Sequence, residues 1–172
     1  MEKPLAMGLR KPPSHILSED KVQKLKDDIR SISADESVFV FNSVFVRGTC
    51  YRPQDDKVYV RGNVLRDSTS THPRDLMSER AVLAHEYYGH RPYREQYLFE
   101  FEKLDLDEDE FLLILAKREW ADEFRASYMA AKNAPGLSDE DRYYLILDAL
   151  ERAKEANIRI KYNDFIRRVL YG

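Results

Sequence analysis

Several absences narrow the field before any motif is considered. The chain of 172 residues holds 1 cysteine, Cys50, which excludes an internal disulfide framework and fits a reducing compartment. Its longest apolar runs, such as Phe111 to Ala116, fall far short of a membrane span. Positive charge is not in excess: 28 Lys and Arg stand against 31 Asp and Glu, a formal net charge of −3. No basic field therefore points to nucleic acid as a partner. The first residues lack the charged-then-apolar layout of a secretory signal, because Lys3, Arg10 and Lys11 interrupt each short apolar stretch. The expectation is a cytoplasmic protein with neither a membrane nor a nucleic-acid partner. Histidine is scarce too, with 4 in the chain, so the places where it falls carry weight.

What is present belongs to a folded globular chain: 43% hydrophobic and 34% charged residues, at a length that suits one domain. Residues 1–17, with Pro4, Pro12 and Pro13, read as a flexible or draped N-terminal arm, and 18–172 as the single domain. Ser18 opens a helix to about Ser31, with Val22, Leu25 and Ile29 spaced for one buried face. Between Ser37 and Gly62 the residues become β-branched and aromatic. Val38 to Phe41, Val44 to Val46 and Lys57 to Arg61 are the strand candidates, with turns at Asn42-Ser43 and Pro53-Gln54-Asp55-Asp56 and a possible bulge at Gly48. A helix over about Pro73 to Gly89 follows, with Met77, Ala81, Ala84 and Tyr88 inward and Pro92 as its stop. Tyr93, Tyr97 and Phe101 predict a short aromatic helix. Asp107 with Glu110 predicts the start of a long helix that ends near Asn133, before Ala134-Pro135-Gly136. Ser138 with Asp141 starts another, and a last one spans about Tyr162 to Tyr171. A helix, a small three-stranded antiparallel or mixed sheet and then further helices make the fold class α+β.

The chemistry is concentrated in His85-Glu86-Tyr87-Tyr88-Gly89-His90. With 4 histidines and 15 glutamates in the chain, a chance His-Glu-x-x-x-His is expected less than about once in a hundred such sequences. The familiar zinc-peptidase helix places its histidines four apart, on one face. Five apart, at about 100° per residue, an ideal α-helix would splay them by roughly 140°. A π-type bulge would return both rings to one side. Alternatively, the helix could end at Gly89 and let His90 swing back. Either route lets His85 and His90 share a zinc ion (Zn2+), with Glu86 turned toward a water as general base. A third ligand must come from elsewhere. The long helix carries Glu119, Asp122 and Glu123 among apolar positions, and a carboxylate on such a stripe needs a partner.

His85 to His90 resembles the His-Glu-Leu-Leu-Gly-His element of the dipeptidyl-peptidase III family, including the glycine before the second histidine. In that family a downstream helix reads Glu-Glu-Cys-Arg-Ala followed by an acidic residue, and its second glutamate binds zinc. Asp122-Glu123-Phe124-Arg125-Ala126-Ser127 is similar, and the resemblance makes Glu123 the third ligand. Glu123-Phe124-Arg125-Ala126 also resembles a Glu-Phe-x-Ala-Asp element of membrane-associated zinc peptidases. Both families are gluzincins, so the resemblance implies a minimal zincin-like core with His85, His90 and Glu123 as zinc ligands. Ser127 departs from the pattern, since the families place there an acidic residue that orients a zinc-bound histidine. Glu119, one turn before Glu123, is the alternative for that role or for ligand duty.

These expectations amount to a zinc metallopeptidase that acts on peptide or protein substrates. The alternative is a non-proteolytic zincin-like binding or regulatory module with structural zinc. An edge strand above the metal would pair with extended substrate, and Lys57 to Arg61 is the candidate. His72, Arg91, Tyr93, Tyr128, Tyr143 and Tyr144 are candidates for a transition-state donor. Cys50 reads as a buried strand residue and not a nucleophile.

Overall fold

The computed structural model describes the main chain of residues 11–103 and 108–172, together with their side chains apart from residues 100–118. Residues 11–17 run as a draped strap. The Arg61 guanidinium holds the Pro13 carbonyl, the Asn42 side chain bonds both the N–H and the C=O of Leu17, and Leu17 itself is buried in the core. Helix α1 (Glu19–Ser31) starts where the Ser18 hydroxyl accepts the Lys21 N–H. Glu19 and Asp20 in its first turn favour the positive end of the helix dipole. Leu25 and Ile29 point into the core, as the spacing requires.

The sheet is mixed, in the order β1-β3-β2, from β1 (Phe39–Phe41), β2 (Cys50–Arg52) and β3 (Lys57–Val60). β1 runs parallel to β3 with Phe39 opposite Val58, and β2 runs antiparallel to β3 with Tyr51 opposite Val58. The expected strand at Val44 to Val46 does not form. Val44 and Phe45 are exposed in a loop whose Ser43 and Val46 carbonyls are both gripped by Arg61 at 2.6 Å. The short strand at Cys50 takes the third place in the sheet. Gly48 lies in the same loop, beside the Asn63 side chain, and marks no bulge. The strand expected at an exposed edge, Lys57 to Arg61, is instead the central one over Lys57–Val60, and β1 and β2 are the edges.

The helix expected over Pro73 to Gly89 is divided. α2 (Pro73–Leu76) begins with proline in its first turn, and α3 (Glu79–Ala84) restarts after Ser78, whose hydroxyl caps it through the Ala81 N–H. α3 then passes into a π turn, His85–His90. Beyond it lie α4 (Arg94–Lys103), α5 (Glu108–Asn133), α6 (Asp139–Glu155) and α7 (Asp164–Tyr171). Asp107, expected to cap α5, lies outside the described residues. α5 ends at Asn133, and Gly136 takes the positive φ of 74° that the turn into α6 needs. Ser138 and Asp141 form the reciprocal capping box that starts α6.

The fold is α+β. One core is filled by Leu25 and Ile29 from α1, Val58 and Val60 from β3, Leu83 from α3, and Leu145 and Ile146 from α6. Each such side chain contributes about 1.5–3 kcal/mol on burial. α5 packs along α6 and against the π turn, and β2 also contacts the π turn. Among the described residues, no helix is long and apolar enough to cross a membrane.

Candidate metal centre

The five-residue spacing of the histidines is resolved by the π turn. Hydrogen bonds from i to i+5 widen the helix by one residue per turn and bring positions five apart onto one side. His85 and His90 therefore face each other, with their Nε2 atoms 3.1 Å apart. Gly89 permits the turn to sit where it does, because a methyl group there would run into the backbone of Ala126 on α5. That close approach brings Glu123, one turn earlier on α5, against the two rings. Its Oε2 lies 3.0 Å from His85 Nε2 and its Oε1 3.4 Å from His90 Nε2.

Three potential donor atoms thus converge, and among the described residues they lie close enough to share one ion. The fit can be tested on their separations. A tetrahedral ion with bonds of about 2.0–2.1 Å holds its ligand atoms about 3.3 Å apart; here the two Nε2 atoms are 3.1 Å apart, and each lies 3.0 or 3.4 Å from a different oxygen of Glu123. Two imidazoles and a carboxylate also match the donor chemistry that divalent transition metals take from proteins. His85, Glu86 and His90 are all buried, which shields the cluster from competing water.

The charges of His90, Glu123 and Glu86 act on one another. Burial alone would lower the His90 imidazole, but the Glu123 carboxylate, with Glu86 and Asp122, outweighs it and raises His90 to about 9. Burial alone would raise Glu123, and the two histidines instead hold it well below the usual carboxylate range. Glu86 behaves differently. Burial pushes its carboxyl up, and the histidines offset this only in part. Its Oε2 accepts the main-chain N–H of Tyr51, at 2.9 Å, from the edge strand β2.

Each histidine has a second partner. His90 Nδ1 meets the Tyr97 hydroxyl at 2.9 Å, and that hydroxyl donates to Asp122 at 2.6 Å. His85 Nδ1 meets Ser127 Oγ at 2.8 Å, and Ser127 donates to Asp148 at 2.6 Å. Arg152 reaches Glu123 at 3.5 Å. Tyr97, Asp148 and Arg152 were not singled out by sequence reasoning for the site. Tyr97 was legible only as part of an aromatic stripe, and nothing in the spacing of α6 relates it to the histidines.

The structure brings together His85, His90, Glu86 and Glu123 but leaves Glu119 exposed. The six candidate donors are engaged elsewhere. Arg91 pairs with Asp56, Tyr93 lies under Arg125, and His72 caps α2. Tyr128 bonds Asn163, Tyr144 stacks near Arg66, and Tyr143 is exposed. Cys50 sits on β2, and burial raises its thiol to about 11, which leaves it unreactive.

A second group, His72, Glu151 and Glu155, is also compact enough for an ion. Its chemistry argues against one. His72 Nδ1 accepts the Arg74 N–H, which places the ring proton on Nε2, the nitrogen that faces Glu155 at 3.5 Å. Arg74 already supplies a cation to Glu155 at 3.6 Å.

Comparison of the chain with family models, curated proteins and solved structures finds no match. The fold and site define an α+β protein with a cluster of two buried histidines on a π turn and a half-buried glutamate on α5.

Proposed function

We propose that the protein is a zinc-dependent metallopeptidase of gluzincin type, with His85, His90 and Glu123 as ligands and Glu86 as general base. The observation that carries this reading is the convergence of three donor atoms from two elements, beside a buried second carboxylate, Glu86, that stays outside the triad. Zinc held there would supply Lewis acidity toward a peptide carbonyl and would acidify a water molecule.

The chain's own residues account for the remaining steps. Glu86 accepts a proton from the attacking water and passes it to the leaving amine nitrogen, so the cleaved bond yields a carboxylic acid and an amine. Its raised affinity for a proton, caused by burial, suits that transfer. The Tyr51 N–H fixes one carboxylate oxygen and leaves the other to carry the proton. Three protein ligands among the described residues leave a coordination position for water, as a catalytic site needs and a closed structural site does not. β2 is an edge strand next to Glu86, and an extended peptide pairing along it would compete with Glu86 for the Tyr51 N–H. The single cysteine fits a cytoplasmic setting.

The test is a peptide-library cleavage assay on zinc-loaded wild type and Glu86→Gln. The variant should retain zinc and lose at least about 100-fold in turnover, the usual range for a lost general base. Undiminished cleavage by Glu86→Gln would rule out the proposed base.

A further inference from the structure

We infer that Ser127 and Asp148 form a hydrogen-bond relay that sets the His85 imidazole for metal binding, with Asp148 acting as its orienting carboxylate through the serine hydroxyl. The inference rests on the metallopeptidase reading and adds two positioning residues to it.

The order of protons follows from what each group is able to donate. Asp148 is fully buried, and its Oδ1 accepts from Nε of Arg74 at 3.1 Å and from Nε of Arg152 at 3.3 Å. Burial alone would raise its carboxyl, but Arg152 and Arg74 outweigh that and hold it below the usual range. An ionised carboxylate is an acceptor only. The Ser127 hydroxyl, 2.6 Å from Asp148 Oδ2, must therefore donate to it. Its oxygen is left with lone pairs, so it accepts from its other neighbour, His85 Nδ1, at 2.8 Å. Nδ1 accordingly carries a proton, which leaves Nε2 as the nitrogen to give a lone pair to a metal. Nε2 is the atom that faces Glu123 and His90.

The reverse order is costly. If Ser127 donated to His85, its oxygen would face the Asp148 carboxylate at 2.6 Å with no proton between them, in a site where Ser127 is fully buried. The relay also explains how a serine can stand where the resembling families carry an acid. The carboxylate is supplied from α6, across α5, and the hydroxyl transmits its preference to the π turn. A metal-binding histidine whose second nitrogen is held in this way typically loses 10–100-fold in metal affinity when that partner is removed.

The experiment compares wild type, Ser127→Ala and Asp148→Asn by two readouts. Zinc affinity is measured by competition with a chromophoric chelator, and the histidine ring tautomers of the metal-free, 15N-labelled proteins by NMR. Ser127→Ala keeps Asp148 between its arginines and removes only the relay; Asp148→Asn is read beside it. The wild type should show His85 with its proton on Nδ1, and Ser127→Ala should lose that signature and bind zinc about 10–100-fold more weakly. A wild-type His85 with no proton on Nδ1 overturns the relay, as does Ser127→Ala with zinc affinity within twofold of a zinc-binding wild type. A wild type that binds no zinc overturns the metallopeptidase reading and, with it, the relay's purpose.

Discussion

Gly89 lies directly on the main chain of Ala126, with no room for a methyl group between the π turn and α5. This contact sets the distance between the helix that carries both histidines and the one that carries Glu123. Gly89→Ala should push the two apart. Overpacking of this kind costs about 1–3 kcal/mol, and the displaced His90 should lose its approach to Glu123. A urea midpoint and a zinc titration check this together. An alanine variant with wild-type stability and zinc affinity would show that the close approach does not matter.

Glu123 and Glu119 are one helical turn apart and differ in setting. Glu123 touches both imidazoles, whereas Glu119 faces solvent. Glu123→Gln should weaken zinc binding by more than the 10–100-fold typical of an indirect partner. Glu119→Gln should match the wild type. Equal losses in the two variants, measured by the same chelator competition, would contradict the assignment.

Asp148 gives a pH-dependent prediction. Its carboxyl is held below its ordinary value despite burial, because Arg152 and Arg74 favour the ionised form. A depressed folded-state value contributes stability above the unfolded value of about 3.9, and that contribution is lost as pH falls through the lower folded-state value. Asp148→Asn should therefore cost on the order of 3 kcal/mol at pH 7. The gap to wild type should narrow steadily below about pH 4. Denaturant midpoints of both proteins across this range provide the test, and a gap that stays constant down to the acid limit would refute the ionised assignment.

The sequence carried the chain-local parts of the account well and the long-range parts unevenly. Helix starts at Ser18, Pro73 and Ser138 were legible because caps and first-turn prolines act over a few residues. The π turn was one of two routes open to a five-residue histidine spacing, since both satisfy the same demand on ring direction. The break at Met77 and Ser78 was missed, because the apolar stripe from Met77 to Tyr88 continues across it. Val44 to Val46 has strand-like residues, yet Arg61 fixes the flanking carbonyls in a loop, and propensity cannot anticipate a tertiary clamp. Asp148 and Tyr97 were beyond reach for the same reason. The partners that tie them to the site, Ser127 and His90, lie on other elements, and their own neighbours in sequence say nothing of His85 or His90.

The central claim is that His85, His90 and Glu123 bind one metal ion. The most direct test is zinc per chain, by elemental analysis, on protein purified without an affinity tag and supplied with zinc, with His90→Ala alongside. The account predicts close to one equivalent in the wild type and a loss in the variant. A folded wild type that retains no zinc, or a variant that retains as much as the wild type, would contradict it.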